Sequence, residues 1–452
     1  MICACLALWL AALPALAADS ITWNKQSDKI TADVRNIALM DLLERVASET
    51  GWQVFLEPGA SHRPSAKFKD LAAGEALRML LGNLNFALIP QSDAPSRLYV
   101  FSTAINNATQ QINPGQKRAI KQLVKRVANE LIVRLKPGQN IDEIAKALGA
   151  KVVGHIPEIN AYRLQFEDAA AANAAKEQLA SNPAVAEVDY NYYVDRPQPA
   201  QGVISSTGLP SQLTLKPSGD SSGLVVGIVD TGVQTLSGDL EKLIAKRISV
   251  AGESALDGSD PTHGTTMLES ILRGLQSVTG SSSTSIQFVA VDVFGSGGTT
   301  TTFDVAAGIV AAVNNGANWI NVSLGSAGSS AVLQNIIQNV TDRGIAVFGA
   351  AGNEPTGENV FPAAYDPVVA VTATTRGQIA SYANIADFVD VAAPGSGIVY
   401  YNNRPFYIQG TSVATAYATG AAVGLAEKSG STWQQVQPIL YRSLSVPGTA
   451  TR

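Results

Sequence analysis

The chain has 452 residues and a formal net charge of −5, and it is 46% hydrophobic and 15% charged. That length allows several domains, and the many Ala, Gly and Ser residues point to tight α/β packing rather than disorder. No dense basic block is present, which argues against nucleic acid as the main partner.

In chain order, residues 2–18 are almost wholly apolar and end in Ala15-Leu16-Ala17, a small-residue secretory cleavage pattern. Segment 1–18 is read as a signal peptide cut after Ala17 or Ala18, although no Lys or Arg precedes the apolar run. The expected location is periplasmic or secreted. Cys3 and Cys5 lie in this segment, so its removal leaves no cysteine for a disulfide, a thiol nucleophile or a metal site.

Segment 20–103 reads as a small α/β domain. Leu39, Leu42, Leu43 and Val46 recur at helical spacing, Gly51 follows, and 52–56 reads as a strand. A second helix is predicted over 74–81 and a last strand over 98–101. Segment 104–127 is polar, holds Pro114-Gly115, and is read as a linker. Segment 128–195 then follows a βαββαβ order, the split βαβ pattern of a ferredoxin-like α+β module. Segment 196–222, rich in Pro, Gly, Gln and Ser, is read as an exposed processing junction. From 223 to 452, apolar strands alternate with helices, which predicts a parallel sheet with helices on both faces.

Four short stretches of this last region carry chemistry. Val229-Asp230-Thr231-Gly232 ends a buried strand in an acid, where open parallel sheets gather functional groups. Asp-Thr-Gly occurs only once, so it cannot form a two-acid shared-proton dyad. Of the three histidines, His62 and His155 read as surface residues, whereas His263 stands at a helix start in the region that also holds Asp230. Gly410-Thr411-Ser412-Val413-Ala414 opens an apolar helix, and Ser412 needs a base to act as a nucleophile. Alone, Ser412 reads as a helix cap; beside Asp230 and His263 it reads as the nucleophile. Asn353, in Ala351-Gly352-Asn353, offers a side-chain amide to a tetrahedral oxyanion, with the Ser412 N–H as second donor.

The order Asp230, His263, Asn353, Ser412 and these motifs, together with Ile320-Asn321-Val322-Ser323-Leu324-Gly325, resemble the subtilisin-like serine proteases over nearly all of 222–428. The resemblance implies a subtilisin-like fold and endopeptidase activity through an Asp-His-Ser triad. It also implies that Ser323, Leu324 and Gly325 form a peptide-pairing edge, and that Ala350, Ala351 and Gly352 form one wall of the main specificity pocket. Two positions depart from the family pattern: Thr262 stands where Gly usually precedes the histidine, and Ala416-Tyr417 replaces the usual Pro-His. The segment 274–285 contains no acid to suggest the family's calcium loop, so no metal and no cofactor is assigned. By position, 128–195 resembles a subtilisin-type propeptide, which would act as an intramolecular inhibitor of a self-processing proenzyme. Leu39-Met40-Asp41-Leu42-Leu43, Glu49-Thr50-Gly51 and residues 75–81 resemble the secretin/TonB short N-terminal domain, which implies an envelope protein partner. Polypeptides are the expected substrates. The rival readings are a pseudo-protease acting as an envelope docking module and an esterase on the same triad.

Overall fold

The computed structural model describes residues 20–447 except 26, 36, 58–59, 61, 92–94, 104, 106–107, 109, 113–124, 204–208, 219–222 and 255. The signal-peptide segment with Cys3 and Cys5, and most of the linker, lie outside the described residues. Two compact units, Met1–Ala119 and Ile120–Arg452, make up the chain. Among the described residues no helix is long and apolar enough to cross a membrane.

The first unit runs β1 (Ser20–Asn24), β2 (Lys29–Val34), α1 (Leu39–Thr50), β3 (Gln53–Leu56), β4 (Ala66–Ala72), α2 (Ala73–Leu81), β5 (Asn85–Ile89), β6 (Arg97–Phe101) and β7 (Gln110–Ile112). The strands form two sheets, β1-β2-β4 and β5-β6-β3-β7. The predicted stripe of α1 is buried, Leu39, Leu42, Leu43 and Val46 all facing the core. β7 falls in the stretch read as linker. It forms because β3 offers a free edge and Ile112 can be buried there.

The second unit begins with β8 (Arg126–Leu135), α3 (Ile141–Ala147), β9 (Lys151–Ile156), β10 (Ala161–Gln165), α4 (Ala169–Ala180) and β11 (Val185–Asp195). The sheet order β11-β8-β10-β9 is that of a split βαβ module. Side chains of both helices fill one core with Leu131, Val133 and Leu164. From the opposite face, Ile132, Ile156, Ala161 and Val194 join the core described next.

The remaining elements are β12 (Gln201–Gly202), β13 (Lys216–Pro217), β14 (Val225–Asp230), β15 (Ile244–Ser249), α5 (His263–Thr279), β16 (Ser283–Thr284), β17 (Gln287–Asp292), β18 (Thr299–Thr301), α6 (Thr302–Asn314), β19 (Trp319–Val322), α7 (Ala331–Asp342), β20 (Ala346–Ala350), β21 (Val369–Thr375), β22 (Gln378–Ile379), β23 (Val391–Pro394), β24 (Ser396–Tyr401), β25 (Arg404–Gln409), α8 (Thr411–Ser429) and α9 (Trp433–Ser443). An eight-stranded sheet runs β15-β17-β14-β19-β20-β21, with β22 and β23 both on β21. Only β22 is antiparallel. Alternate strand residues divide two cores. Val226, Ile228, Phe288 and Phe348 meet α5 and α8, while Val229, Val289, Val291 and Val347 meet α6 and α7. The sheet is thus covered on both faces, the condition under which continuous apolar strands are stable. In the junction, residues 204–208 and 219–222 lie outside the described residues, whereas Leu213 and Leu215 are buried in the α5–α8 core.

Candidate active site

Asp230 ends β14, which pairs with β17 on one side and β19 on the other. Its carboxylate is fully buried. One oxygen accepts the Thr231 N–H at 2.6 Å, and the two oxygens lie 2.8 and 2.9 Å from His263 Nδ1. Because a carboxylate only accepts, Nδ1 carries the proton and Nε2 is left as the acceptor. The His263 side chain is 8% exposed.

Local sequence holds this pair. Thr262 caps α5: its Oγ1 accepts the Thr265 N–H at 3.2 Å and donates to the Gly232 carbonyl at 2.7 Å. Gly264 is required because a Cβ there would strike the Thr231 carbonyl oxygen, and its N–H reaches Thr231 Oγ1 at 2.8 Å. Gln234 staples the approach to α5. Its Nε2 donates to the carbonyls of Leu256, Gly258 and Asp260, and its Oε1 accepts the Thr262 N–H at 2.8 Å.

Ser412 is the second residue of α8. Helices α5 and α8 pack closely against each other. Gly420, eight residues after Ser412, abuts the carbonyl of Ile271, eight residues after His263. Gly424 and Leu275, twelve residues after the same two positions, also meet. Gly274, eleven residues after His263, abuts the carbonyl of Tyr417, five residues after Ser412, so the two helices cross at close range. Among the described residues no hydrogen bond joins Ser412 Oγ to His263 Nε2, and such bonds commonly tighten only when substrate binds. A buried polar chain fixes the backbone of the serine. Thr419 Oγ1 donates to Asn321 Oδ1 at 3.1 Å, Asn321 Nδ2 to Ser323 Oγ at 2.9 Å, and Ser323 Oγ to the Ser412 carbonyl at 3.1 Å.

Asn353 is exposed beside the start of α8. Its Oδ1 accepts the Thr411 N–H at 2.8 Å and the Thr411 hydroxyl at 3.0 Å, so Nδ2 is the end left to donate. Ala350 and Ala351 are buried, and the Gly352 N–H donates to Thr411 Oγ1 at 3.2 Å. Thus Ala350, Ala351, Gly352 and Asn353 run from the end of β20 to the start of the serine helix. Leu324 is also buried next to Ser323.

The subtilase family model matches residues 221–450, just over half of the chain. The chain belongs to the subtilase family. Like its relatives, this subtilase is a serine-type endopeptidase, and it carries a prodomain: residues 113–191 match the fervidolysin N-terminal prodomain. It is 29% identical over 343 residues to the thermophilic serine proteinase of Bacillus sp. (strain AK1), covering 72% of this chain and 84% of the relative. It is 35% identical over 222 residues to subtilisin Savinase of Lederbergia lenta, covering 48% and 80%. Among solved structures, fervidolysin from Fervidobacterium pennivorans, a keratinolytic enzyme related to subtilisin, matches with a TM-score of 0.56 at 22% identity. The match covers 70% of this chain and 57% of fervidolysin, so the subtilase spans little more than half of that protein. The epidermin leader peptide processing serine protease of Staphylococcus aureus matches with a TM-score of 0.52 at 19% identity.

The subtilase's departure at Thr262 has a structural counterpart, since its hydroxyl is the cap of α5. Thr231, Gln234, Asn321, Thr411 and Thr419 support the site but were not singled out by sequence reasoning. Asn321 and Thr419 did leave a signal, each a polar side chain inside an otherwise apolar run. The prodomain grips the two helices on the far face of the sheet. Asp189 Oδ2 accepts the N–H of Ala331 at 2.7 Å at the start of α7. Asn191 Oδ1 accepts the Phe303 N–H at 3.2 Å and the Thr302 hydroxyl at 3.1 Å at the start of α6. Arg163 pairs with Asp304 at 3.2 Å.

Proposed function

We propose that this protein hydrolyses polypeptides through Ser412 as nucleophile, His263 as general base and acid, and Asp230 as the group that orients and supports the imidazole. Asn353 Nδ2 and the Ser412 N–H hold the oxyanion. The supporting observation is the buried Asp230–His263 contact at the start of α5, a helix packed closely against the one that Ser412 opens. Substrate would extend along Ser323, Leu324 and Gly325, with Ala350, Ala351 and Gly352 walling the main pocket. The Asp230–His263 geometry favours this reading over an inactive docking module. We also propose the domain limits 20–103, 128–195 and 223–452, a secretory signal at 1–18, a periplasmic or secreted location, and an envelope partner for a secretin/TonB-like N-terminal domain.

The enzyme would be made as a self-processing proenzyme, cut in the 196–222 junction. Ser412→Ala produced in a heterologous host should stay full length and fail to react with a fluorophosphonate probe. Cutting of that variant at the junction would exclude self-processing, and an unaltered, processed enzyme that does not react at Ser412 would favour the docking module.

A further inference from the structure

The loop 380–384, between β22 and β23, holds both chain segments that carry the oxyanion donors. One end of it is Asn384, which is fully buried. The Asn384 N–H donates to the Gly352 carbonyl at 2.9 Å, and its Nδ2 donates to the Ala351 and Glu358 carbonyls, both at 2.9 Å. Its Oδ1 accepts the Gly357 N–H at 2.9 Å, and Thr372 Oγ1 on β21 donates to its carbonyl at 2.6 Å. Asn384 therefore ties the backbone just before Asn353 to the sheet.

Two residues earlier, Tyr382 reaches the other segment. Its hydroxyl donates to the Gly395 carbonyl at 2.7 Å. The Gly410 N–H donates to that same carbonyl at 2.9 Å. A Cβ on Gly395 would strike the Tyr382 oxygen, so only glycine leaves room for the phenol there. Burial pushes this phenol up to about 12, so it keeps its proton and stays a donor at neutral pH. Gly410 in turn leads into Thr411 and Ser412. It has φ +146°, and a Cβ on it would stand 3.2 Å from Asn353 Nδ2. The next N–H, that of Thr411, holds Asn353 Oδ1 at 2.8 Å.

We propose that the loop 380–384 is a brace that sets the spacing of the two oxyanion donors. Asn384 holds the Asn353 side, and Tyr382 holds the Ser412 side through Gly395 and Gly410. Both are positioning residues, acting through the backbone and not on the reacting atoms. The brace rests on the reading of Asn353 Nδ2 and the Ser412 N–H as the donors. Such donors act only where their spacing matches the developing charge, so a small displacement lowers the rate more than it weakens substrate binding.

Tyr382→Phe keeps the ring and removes only the donor to Gly395. In the processed enzyme, at a temperature where it is folded, this change should lower kcat about three- to tenfold and leave KM within about twofold. In an Asn353→Ala background it should cost less than about twofold, because the donor it positions is gone. An unaltered kcat in Tyr382→Phe overturns the proposal, as does a raised KM alone or an equal loss in both backgrounds. An Asn353→Ala enzyme with unaltered kcat overturns the oxyanion reading instead. The hold of Tyr382 on the Gly410 segment is then decided by hydrogen exchange: faster exchange of the Gly410 amide in Tyr382→Phe supports the brace, and equal exchange overturns it.

Discussion

Thr411 decides which end of Asn353 can act. With Oδ1 held by the Thr411 N–H and hydroxyl, the amide can turn only Nδ2 toward a developing oxyanion. Asn353→Ala should therefore lower kcat by about 100- to 1,000-fold, the usual loss for one oxyanion donor, with KM little changed. Thr411→Val keeps the backbone donor but removes the hydroxyl, so it should lower kcat by a smaller factor, about tenfold. Steady-state kinetics of the two variants test this order. A larger loss for Thr411→Val than for Asn353→Ala would mean that the hydroxyl has a role beyond holding the amide. The side chain of Ser323 shows how a residue's position and its contacts differ. Sequence placed it on a substrate edge, whereas its hydroxyl supports the Ser412 carbonyl from behind.

At the scale of elements, the site depends on how closely α5 and α8 approach. Gly420 lies against the Ile271 carbonyl, with no room for a Cβ. Gly420→Ala should force the helices apart, cost about 1–3 kcal/mol in stability, and reduce activity beyond that loss by separating Ser412 from His263. Thermal unfolding and kcat/KM, measured at a temperature where the variant remains folded, separate the two effects, and unchanged values of both would exclude this close contact. The long elements were legible in the sequence. The helix predicted over 74–81 runs Ala73–Leu81, and the strands predicted over 52–56 and 98–101 run Gln53–Leu56 and Arg97–Phe101. The short strands β12, β13 and β18 were not legible, because two or three residues carry no periodicity and form only where a partner edge waits. The β24–β25 hairpin did leave a signal, since Asn402 and Asn403 both take positive φ in a two-residue turn. In α9, Pro438 interrupts the helical pattern. The supporting network around Ser412 was hidden for a different reason: its members come from β19, α8 and the loop after β20, and only the tertiary fold brings them together.

At the scale of the whole molecule, the N-terminal unit has a core of its own, made from α1, α2 and their sheets. A chain beginning at Ile120 should therefore fold and keep kcat/KM within about twofold after processing, as expected of an independent domain. The prodomain is different, because it shares a core with α6 and α7, and its grip should depend on pH. Burial pushes the Asp189 and Asp304 carboxyls above their ordinary range. The Ala331 N–H and Lys176 act against this at Asp189, and Arg163 and Thr301 act against it at Asp304. An acid whose pKa is higher in the assembled state binds its proton more tightly there, so assembly takes up protons. Binding should then be strongest near the ordinary carboxylate range and weaken as pH rises through the raised values, by at most about tenfold per pH unit for each group. Calorimetric binding of separately supplied prodomain to a Ser412→Ala protease domain produced without its own prodomain, between about pH 4 and 7, should show affinity falling with pH. Asp189→Asn retains an acceptor for the Ala331 N–H but cannot ionise, so it should flatten part of that slope. An affinity that instead rises with pH in the unaltered pair would show that ion pairing to Arg163 and Lys176, rather than burial, controls these carboxylates.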